Sequence, residues 1–353
     1  MAIVHNLTGG GAARVLEESN KILSKYYQVK ILTPERYQAS NDSGLSKIIS
    51  YLKYIYITLP ENYRRISRSI NSSKFKAVII HHDSYLKSPA SLFDVNSKSI
   101  YILHEPPREF YEPSKYHAPL LKDKLVNALR LPILFIDKKA VKRATHVIVN
   151  SKFSKHRVDS IYGINSKLIY PGVSTRFHPI KDVDKVNQCV SVGSPLPYKG
   201  HEITISAISR LKTKPKLVIV GAGRGSEKNK INSYAVQQNV EIKLYNDLSD
   251  EDLNVIYNKS KVFVNAAFQE PFGLSALEAL SSGTNLVTVD NCGTVELKKF
   301  FPNRVIVTDR KAEDIARGIK SSLDNFSKEK VAIPERLTWE HYVNEIIKLI
   351  END

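Results

Sequence analysis

The chain has 353 residues, 42% hydrophobic and 25% charged, a length that exceeds one small core and suits two domains of a globular protein. No run approaches eighteen apolar residues, so no membrane span is expected, and two cysteines, Cys189 and Cys292, argue against a disulfide framework and suit a reducing cytoplasm. The 52 Lys and Arg against 36 Asp and Glu leave a formal charge of +16, which favours anionic partners such as phosphorylated substrates, anionic lipid or nucleic acid.

Residues 1–8 lack the basic region and cleavage site of a secretion signal and read as a first strand. The glycines Gly9, Gly10 and Gly11 follow and open a helix. Short β-branched runs at 29–33, 77–80, 99–103 and 146–150 read as buried strands separated by amphipathic stretches. Residues 168–173 read as a strand that ends in Pro171-Gly172, and this punctuation places a domain boundary nearby. Runs at 188–192, 216–220, 240–244, 262–265 and 285–289 repeat the plan as a second sheet. A terminal amphipathic helix begins at Thr338, a suitable N-cap. Alternation of strand and helix is the sequence form of an α/β protein with parallel sheets.

Two stretches concentrate basic and aromatic residues. Residues 47–76 include Tyr51, Lys53, Tyr54, Tyr56, Arg64, Arg65 and Arg68, and residues 115–143 include Lys122, Lys124, Arg130, Lys138, Lys139, Lys142 and Arg143. A basic amphipathic helix can lie on an anionic bilayer, although a solvated helix face has the same pattern. Nucleic acid is the less favoured partner, because basic residues are spread along the chain and no zinc, homeodomain or RNP signature is present.

The chemistry concentrates after the 262–265 strand, where a loop holds Glu270-Pro271-Phe272-Gly273 and 274–280 read as a helix. Open α/β sheets bind ligands at such carboxyl ends. First-turn N–H groups at Leu274 and Ser275 form an anion site, and Gly273 lets the backbone approach a phosphate. Glu270 can accept hydrogen bonds from sugar hydroxyls and Glu278 from a second polar group such as a ribose. His81-His82-Asp83 resembles a metal cluster, but no further ligand set with proper spacing appears, so no metal is expected.

These residues resemble the retaining glycosyltransferases of family 4, which have the two-domain GT-B architecture. The family's E-x7-E signature matches Glu270 and Glu278, and 250–257, the following strand, E-P-F-G-L, E-A-L and Gly283 fall in the family's order. The resemblance implies two Rossmann-like domains facing across a cleft. Residues 1–172 would form the acceptor-binding domain, 173–336 the nucleotide-sugar-binding domain, and 337–353 a helix packing back on the first. It implies a UDP- or GDP-hexose donor, no cofactor, no metal, and a glycan or lipid-linked acceptor. Glu270, His104 and Lys199 would be catalytic. Gly10, Gly11, Gly193, Lys199, Asp247, Leu248, Gly273, Leu274, Ser275 and Glu278 would bind the donor, with Arg14 and Asn150 on the acceptor side. The base would lie near Asp247 and Leu248, the ribose on Glu278, and the sugar on Glu270 and His104. Departures are Ser194, where the family usually has an arginine beside Lys199, and Cys292, which replaces the first glycine of a loop whose Gly293 and Glu296 match. Arg224 is a conceivable substitute for the missing arginine.

Two other classes compete. A nucleotide-sugar-binding relative that has lost activity would account for Ser194, and a basic nucleic-acid-binding protein would account for the charge but not for the ordered motifs. A nicotinamide enzyme is less suited, since Ser226 stands where the dinucleotide fingerprint has its third glycine.

Overall fold

The computed structural model describes residues 1–38, 44–117, 121–221, 223, 225–326 and 331–352, with the side chains of Lys115, His117, Leu121 and Lys122 also outside the described set. The chain divides into two compact units, Met1–Pro171 with Trp339–Asp353, and Gly172–Thr338.

In the first unit, strands β1 (Ala2–Asn6), β2 (Lys30–Leu32), β3 (Val78–Asp83), β4 (Ser99–Ile102), β5 (His146–Val149) and β6 (Lys167–Leu168) form a parallel sheet in the order β2-β1-β3-β4-β5-β6. Their crossovers are α1 (Gly10–Leu23), α2 (Leu45–Lys53), a π-helical turn (Tyr54–Thr58), α3 (Leu59–Asn71), α4 (Ser91–Asp94), α5 (Arg108–Tyr111), α6 (Ser114–His117), α7 (Leu121–Leu129), α8 (Leu131–Val141) and α9 (Lys152–Tyr162). Val4, Val78, Ile80 and Tyr101 are fully buried, as continuous apolar strands covered on both faces must be.

In the second unit, β7 (Val186–Val192), β8 (Lys216–Val220), β9 (Ile242–Tyr245), β10 (Ser260–Asn265), β11 (Asn285–Val289) and β12 (Val305–Thr308) form a parallel sheet in the order β12-β11-β10-β7-β8-β9. Helices α10 (His201–Ser209), α11 (Ser226–Gln237), α12 (Asp250–Lys259), α13 (Leu274–Ser281), α14 (Leu297–Phe300) and α15 (Ala312–Asp324) connect them. The last helix, α16 (Trp339–Glu351), belongs to the first unit, where it contacts α1 and buries Tyr342, Val343 and Ile346.

Strand order reverses between β1 and β3 in the first sheet and between β7 and β10 in the second. Crossovers leaving such neighbours depart in opposite directions and open a crevice at the carboxyl ends, the general ligand position of open α/β sheets.

Several elements differ from the sequence-based expectation. The strand β12 was not anticipated, although Val305-Ile306-Val307-Thr308 is β-branched; it is short and partly exposed on the sheet edge. The expected strand at 168–173 contracts to β6, since Pro171 has no N–H to give to a ladder and Val173 bonds instead to Leu337 of the second unit (3.0 Å). The strand expected at 240–244 begins only at Ile242, after the positive-φ turn at Asn239. β3 runs on through His81, His82 and Asp83, and Ser151 caps α9, its hydroxyl accepting from the Ser154 N–H at 2.9 Å.

Candidate active site

In the second unit, loops from β7 and β10 meet at the switch point. Gly200 holds them close: its φ is +76°, and a Cβ there would lie 2.3 Å from the Ala266 carbonyl oxygen. The Phe268 N–H donates to the Tyr198 carbonyl (2.6 Å), which joins the loops again. Lys199 from the first loop and Glu270 from the second are consequently paired, Nζ to Oε2 at 2.7 Å, with side chains only 22% and 17% exposed. Sequence spacing did not foresee this pair. It gives Glu270 a fixed orientation in the loop that leads into α13.

α13 begins after Gly273, whose φ of +88° suits glycine and whose missing side chain lets Thr294 approach; a Cβ would meet Thr294 Oγ1 at 2.6 Å. The Asn265 amide donates to that same hydroxyl (2.8 Å), and the Gly293 N–H donates to the Glu270 carbonyl (2.7 Å). The 293–296 turn thus buttresses the helix start. Leu274 and Ser275, both partly exposed, carry first-turn N–H groups that precede the helix's own hydrogen bonds. Glu278 is buried on the next turn and accepts from Tyr257 Oη at 3.3 Å. Asp247 is exposed and Leu248 half-buried after β9, while the neighbouring Asn246 Oδ1 is buried without a hydrogen-bond partner. Gly193 packs on the aliphatic stem of Lys199. Arg224 lies outside the described residues.

Two residues at this site escaped the sequence reading. His201, buried at the start of α10, has Nε2 3.1 Å from the Gly193 carbonyl and 3.2 Å from that of Ser194, with Nδ1 3.3 Å from Ser191 Oγ. Two carbonyls at Nε2 require a proton there, so Nδ1 accepts from Ser191. Burial pushes the imidazole pKa down to about 4, against the raising effect of those carbonyls. The neutral ring therefore props the loop that carries Ser194 and Lys199. Arg310, just after β12, donates from Nε to the Ala266 carbonyl (2.9 Å), with its guanidinium 5.9 Å from the Phe268 ring centroid. The sequence signal for Arg310 is the β-branched run 305–308 before it.

In the first unit, β1 and β3 are joined at their carboxyl ends by Asn6, whose amide donates to Asp83 Oδ2 (2.7 Å). Gly10 and Gly11 are exposed in the first turn of α1, and Arg14 is half-buried one turn on. His104 stacks on His81 (5.8 Å between centroids) and meets His82 edge-on (5.1 Å). Burial brings the His104 pKa down to about 4 and those of His81 and His82 well below the ordinary value. The adjacent Glu105 is pushed up by burial but held at about 2 by Arg108, whose Nε lies 2.6 Å away, and by Lys87. A small cavity at the ends of β4 and β5 is lined by both His104 and Asn150, and His104 Nε2 and Asn150 Oδ1 are buried without hydrogen-bond partners. Among the described residues no group of three or more His, Cys, Asp or Glu is arranged to hold a metal ion.

Comparison with known proteins identifies the family of the chain. The Glycosyltransferase Family 4 profile matches residues 8–177 and the Glycosyl transferases group 1 profile matches residues 174–338. A bacillosaminyl-diphospho-undecaprenol-directed relative of Campylobacter jejuni, a 4-alpha-N-acetylgalactosaminyltransferase, is 22% identical over 91% of this chain and 89% of its own length. An uncharacterised glycosyltransferase of Methanocaldococcus jannaschii is 25% identical over 58% of this chain, which spans 59% of that protein's length. The crystal structure of HepE from Anabaena, in complex with UDP and glucose, superposes with a TM-score of 0.74 over 100% of both chains at 14% identity. The two parallel sheets thus define an α/β glycosyltransferase of the GT-B class. Within that class the chain belongs to the family-4 type, the two profiles together covering residues 8–338.

Proposed function

We propose that the chain is a retaining, metal-independent hexosyltransferase that uses a UDP- or GDP-hexose and delivers the sugar to a glycan or lipid-linked hydroxyl at the cytoplasmic face of a membrane. The observation that carries this reading is the Lys199–Glu270 pair beside the first turn of α13 at the β7/β10 switch point. A cation and unpaired helix N–H groups there suit a diphosphate, while a carboxylate held in one orientation suits sugar hydroxyls. Glu278 is assigned to the ribose, Asp247 and Leu248 to the base, and Gly193 and Gly273 to close backbone approach. From the first unit, His104 is assigned to the donor sugar, Gly10 and Gly11 to phosphate, and Arg14 and Asn150 to the acceptor. The diphospho-undecaprenol acceptor of the Campylobacter relative supports a lipid-linked acceptor, and the UDP and glucose bound to HepE support a UDP-hexose.

In the proposed reaction the bond from the anomeric carbon to the diphosphate oxygen breaks, and the electron pair leaves with the phosphate. The acceptor oxygen bonds to that carbon on the same face, and its proton passes to the departing phosphate. Lys199 and the α13 N-terminus stabilise the developing charge, so catalysis rests on orientation and preorganised dipoles.

Glu270→Ala should lower kcat by a factor of about 10² or more, the scale of losing a preorganised transition-state contact, with the circular-dichroism spectrum unchanged. The check is transfer measured with a panel of UDP- and GDP-sugars, with and without EDTA. Full activity in that variant sinks the site assignment, and inhibition by EDTA sinks the metal-independent mechanism. Ser194 favours a second reading, a binding protein without transferase activity. Donor binding by calorimetry with no turnover across the panel would establish it.

A further inference from the structure

Four tyrosines close a ring in the first unit. Tyr37 meets Tyr51 edge-on with centroids 5.8 Å apart, Tyr51 lies 6.3 Å from Tyr85, Tyr85 meets Tyr54 edge-on at 5.2 Å, and Tyr54 lies 5.2 Å from Tyr37. Three segments supply them. Tyr37 follows β2, Tyr51 and Tyr54 are one turn apart on α2 and its π-helical continuation, and Tyr85 follows β3. Tyr54 is the deepest at 6% exposed, and the other three are half-buried.

The ring stands at the carboxyl ends of β1, β2 and β3, where the strand order reverses and open α/β sheets take their ligands. The Tyr54 hydroxyl donates to the Glu35 carbonyl just past β2 (2.8 Å). Burial and then Asp83 raise the pKa of that hydroxyl to about 12, and the Asn6 amide opposes them, which places it at the ends of β1 and β3 as well. Tyr85 is held on a closed turn. Asp83 and Lys87 exchange two backbone hydrogen bonds (2.6 and 3.1 Å), and Asp83 Oδ1 accepts from the Tyr85 and Leu86 N–H groups (2.6 and 2.7 Å). Lys87 pays with a φ of +65°. Backbone strain and π-helical turns both gather at ligand sites.

A core that needed only bulk has no use for these phenols. Among the described residues the hydroxyls of Tyr51 and Tyr85 have no hydrogen-bond partner. Beside them stands the Arg130–Glu109 ion pair (3.0 Å), and Arg130 Nη2 donates to the Tyr85 carbonyl (2.8 Å). After burial, which raises the Tyr51 pKa, Arg130 and Glu109 act most strongly on that hydroxyl, in opposite senses.

We infer that this ring is a saccharide subsite for the acceptor: the tyrosines take the C–H face of a pyranose, while the two hydroxyls and the Arg130–Glu109 pair bond its hydroxyl groups. The step rests on the transferase reading above and narrows the acceptor to one that presents a sugar ring here. Aromatic walls with a few placed polar groups suit a ligand that is apolar on one side and wet on the other. A planar base is the poorer fit, because stacking needs parallel rings and these four pairs are inclined at 78°, 48°, 54° and 75°.

The experiment is saturation-transfer NMR of the full chain with the methyl glycosides of glucose, galactose, mannose and N-acetylglucosamine, with UDP and GDP added to occupy the donor site. The expected result is saturation confined to the C–H protons of one ring face for at least one probe. Tyr85→Leu should weaken that binding about fivefold, the loss of one aromatic contact, whereas Tyr85→Phe keeps the ring and stays within about twofold. Tyr51→Leu repeats the test on a second segment, and circular dichroism checks that each variant is folded. No contact with any probe, equal saturation of both faces, equal losses in Tyr85→Phe and Tyr85→Leu, or full binding by both leucine variants overturns the inference. Calorimetry of the unaltered chain with UDP and with GDP tests the transferase reading separately. A bound nucleotide without saccharide contact sinks the subsite alone, and saccharide contact without a bound nucleotide sinks the transferase reading and leaves a sugar-binding site.

Discussion

Individual side chains at the two switch points work through burial. His104 and His201, each with a pKa brought down by burial to about 4, and His81 and His82, brought by burial well below the ordinary value, stay neutral in the folded chain. An unfolded histidine takes a proton near pH 6.5, so below that pH the unfolded state binds more protons than the folded one. Their contribution to stability is therefore complete above pH 6.5 and is lost as pH falls toward 4. Asp137 acts in the opposite sense: burial raises its pKa to about 6 against hydrogen bonds from Ser88 and Tyr162, which favours the folded state as pH falls through 6. Asp83 is shifted in the same direction by burial. Four histidines against two carboxyls leave a net loss, and thermal melts at pH 7, 6 and 5 should show a falling Tm. A Tm that is constant or rises toward pH 5 would contradict the neutral assignment of these rings. The same neutrality lets His201 orient the 193–199 loop by donating to backbone carbonyls while keeping positive charge for Lys199.

At the scale of elements, the start of α13 depends on a residue without a side chain. Gly273→Ala would place a methyl group against Thr294 Oγ1 and force φ +88° on a residue that resists it. The expected cost is about 1–3 kcal/mol. Because the 293–296 turn also holds the Glu270 carbonyl, the variant should weaken donor binding together with stability, measured by urea denaturation and calorimetry. A variant with unchanged stability and donor affinity would mean that Thr294 yields without cost. The helix α8 illustrates the opposite case, in which one buried carboxylate decides which face a helix presents.

For the whole molecule, chain continuity and compactness disagree in one place. The second unit is a continuous segment, whereas the first is completed by α16 from the far end of the sequence. Removing residues 339–353 would uncover the α1 surface that Tyr342, Val343 and Ile346 cover. The truncated chain should show a lowered first-unit transition, followed by calorimetry, while the second unit's transition keeps its temperature. An isolated 172–338 fragment should fold. A fragment that stays unfolded in circular dichroism would show that the second sheet depends on the rest of the chain.

Sequence by itself determined the two-sheet α/β plan, because β-branched runs buried on both faces and glycine-marked crossovers are local signals of parallel strands. It placed Glu270, Gly273 and Lys199 at strand ends for the same reason. It lost β12, whose four residues sit on an edge, and it misjudged the 168–173 run, where Pro171 breaks the ladder. Only the tertiary structure decided that Lys199 pairs with Glu270, residues 71 positions apart brought together by the adjacency of β7 and β10. Only it turned Asp137 inward and Phe135 outward, since helical periodicity names two faces and packing against Ser88 and Tyr162 chooses between them. Local chemistry sets what each segment can form. The strand order, a property of the whole chain, sets which side chains meet.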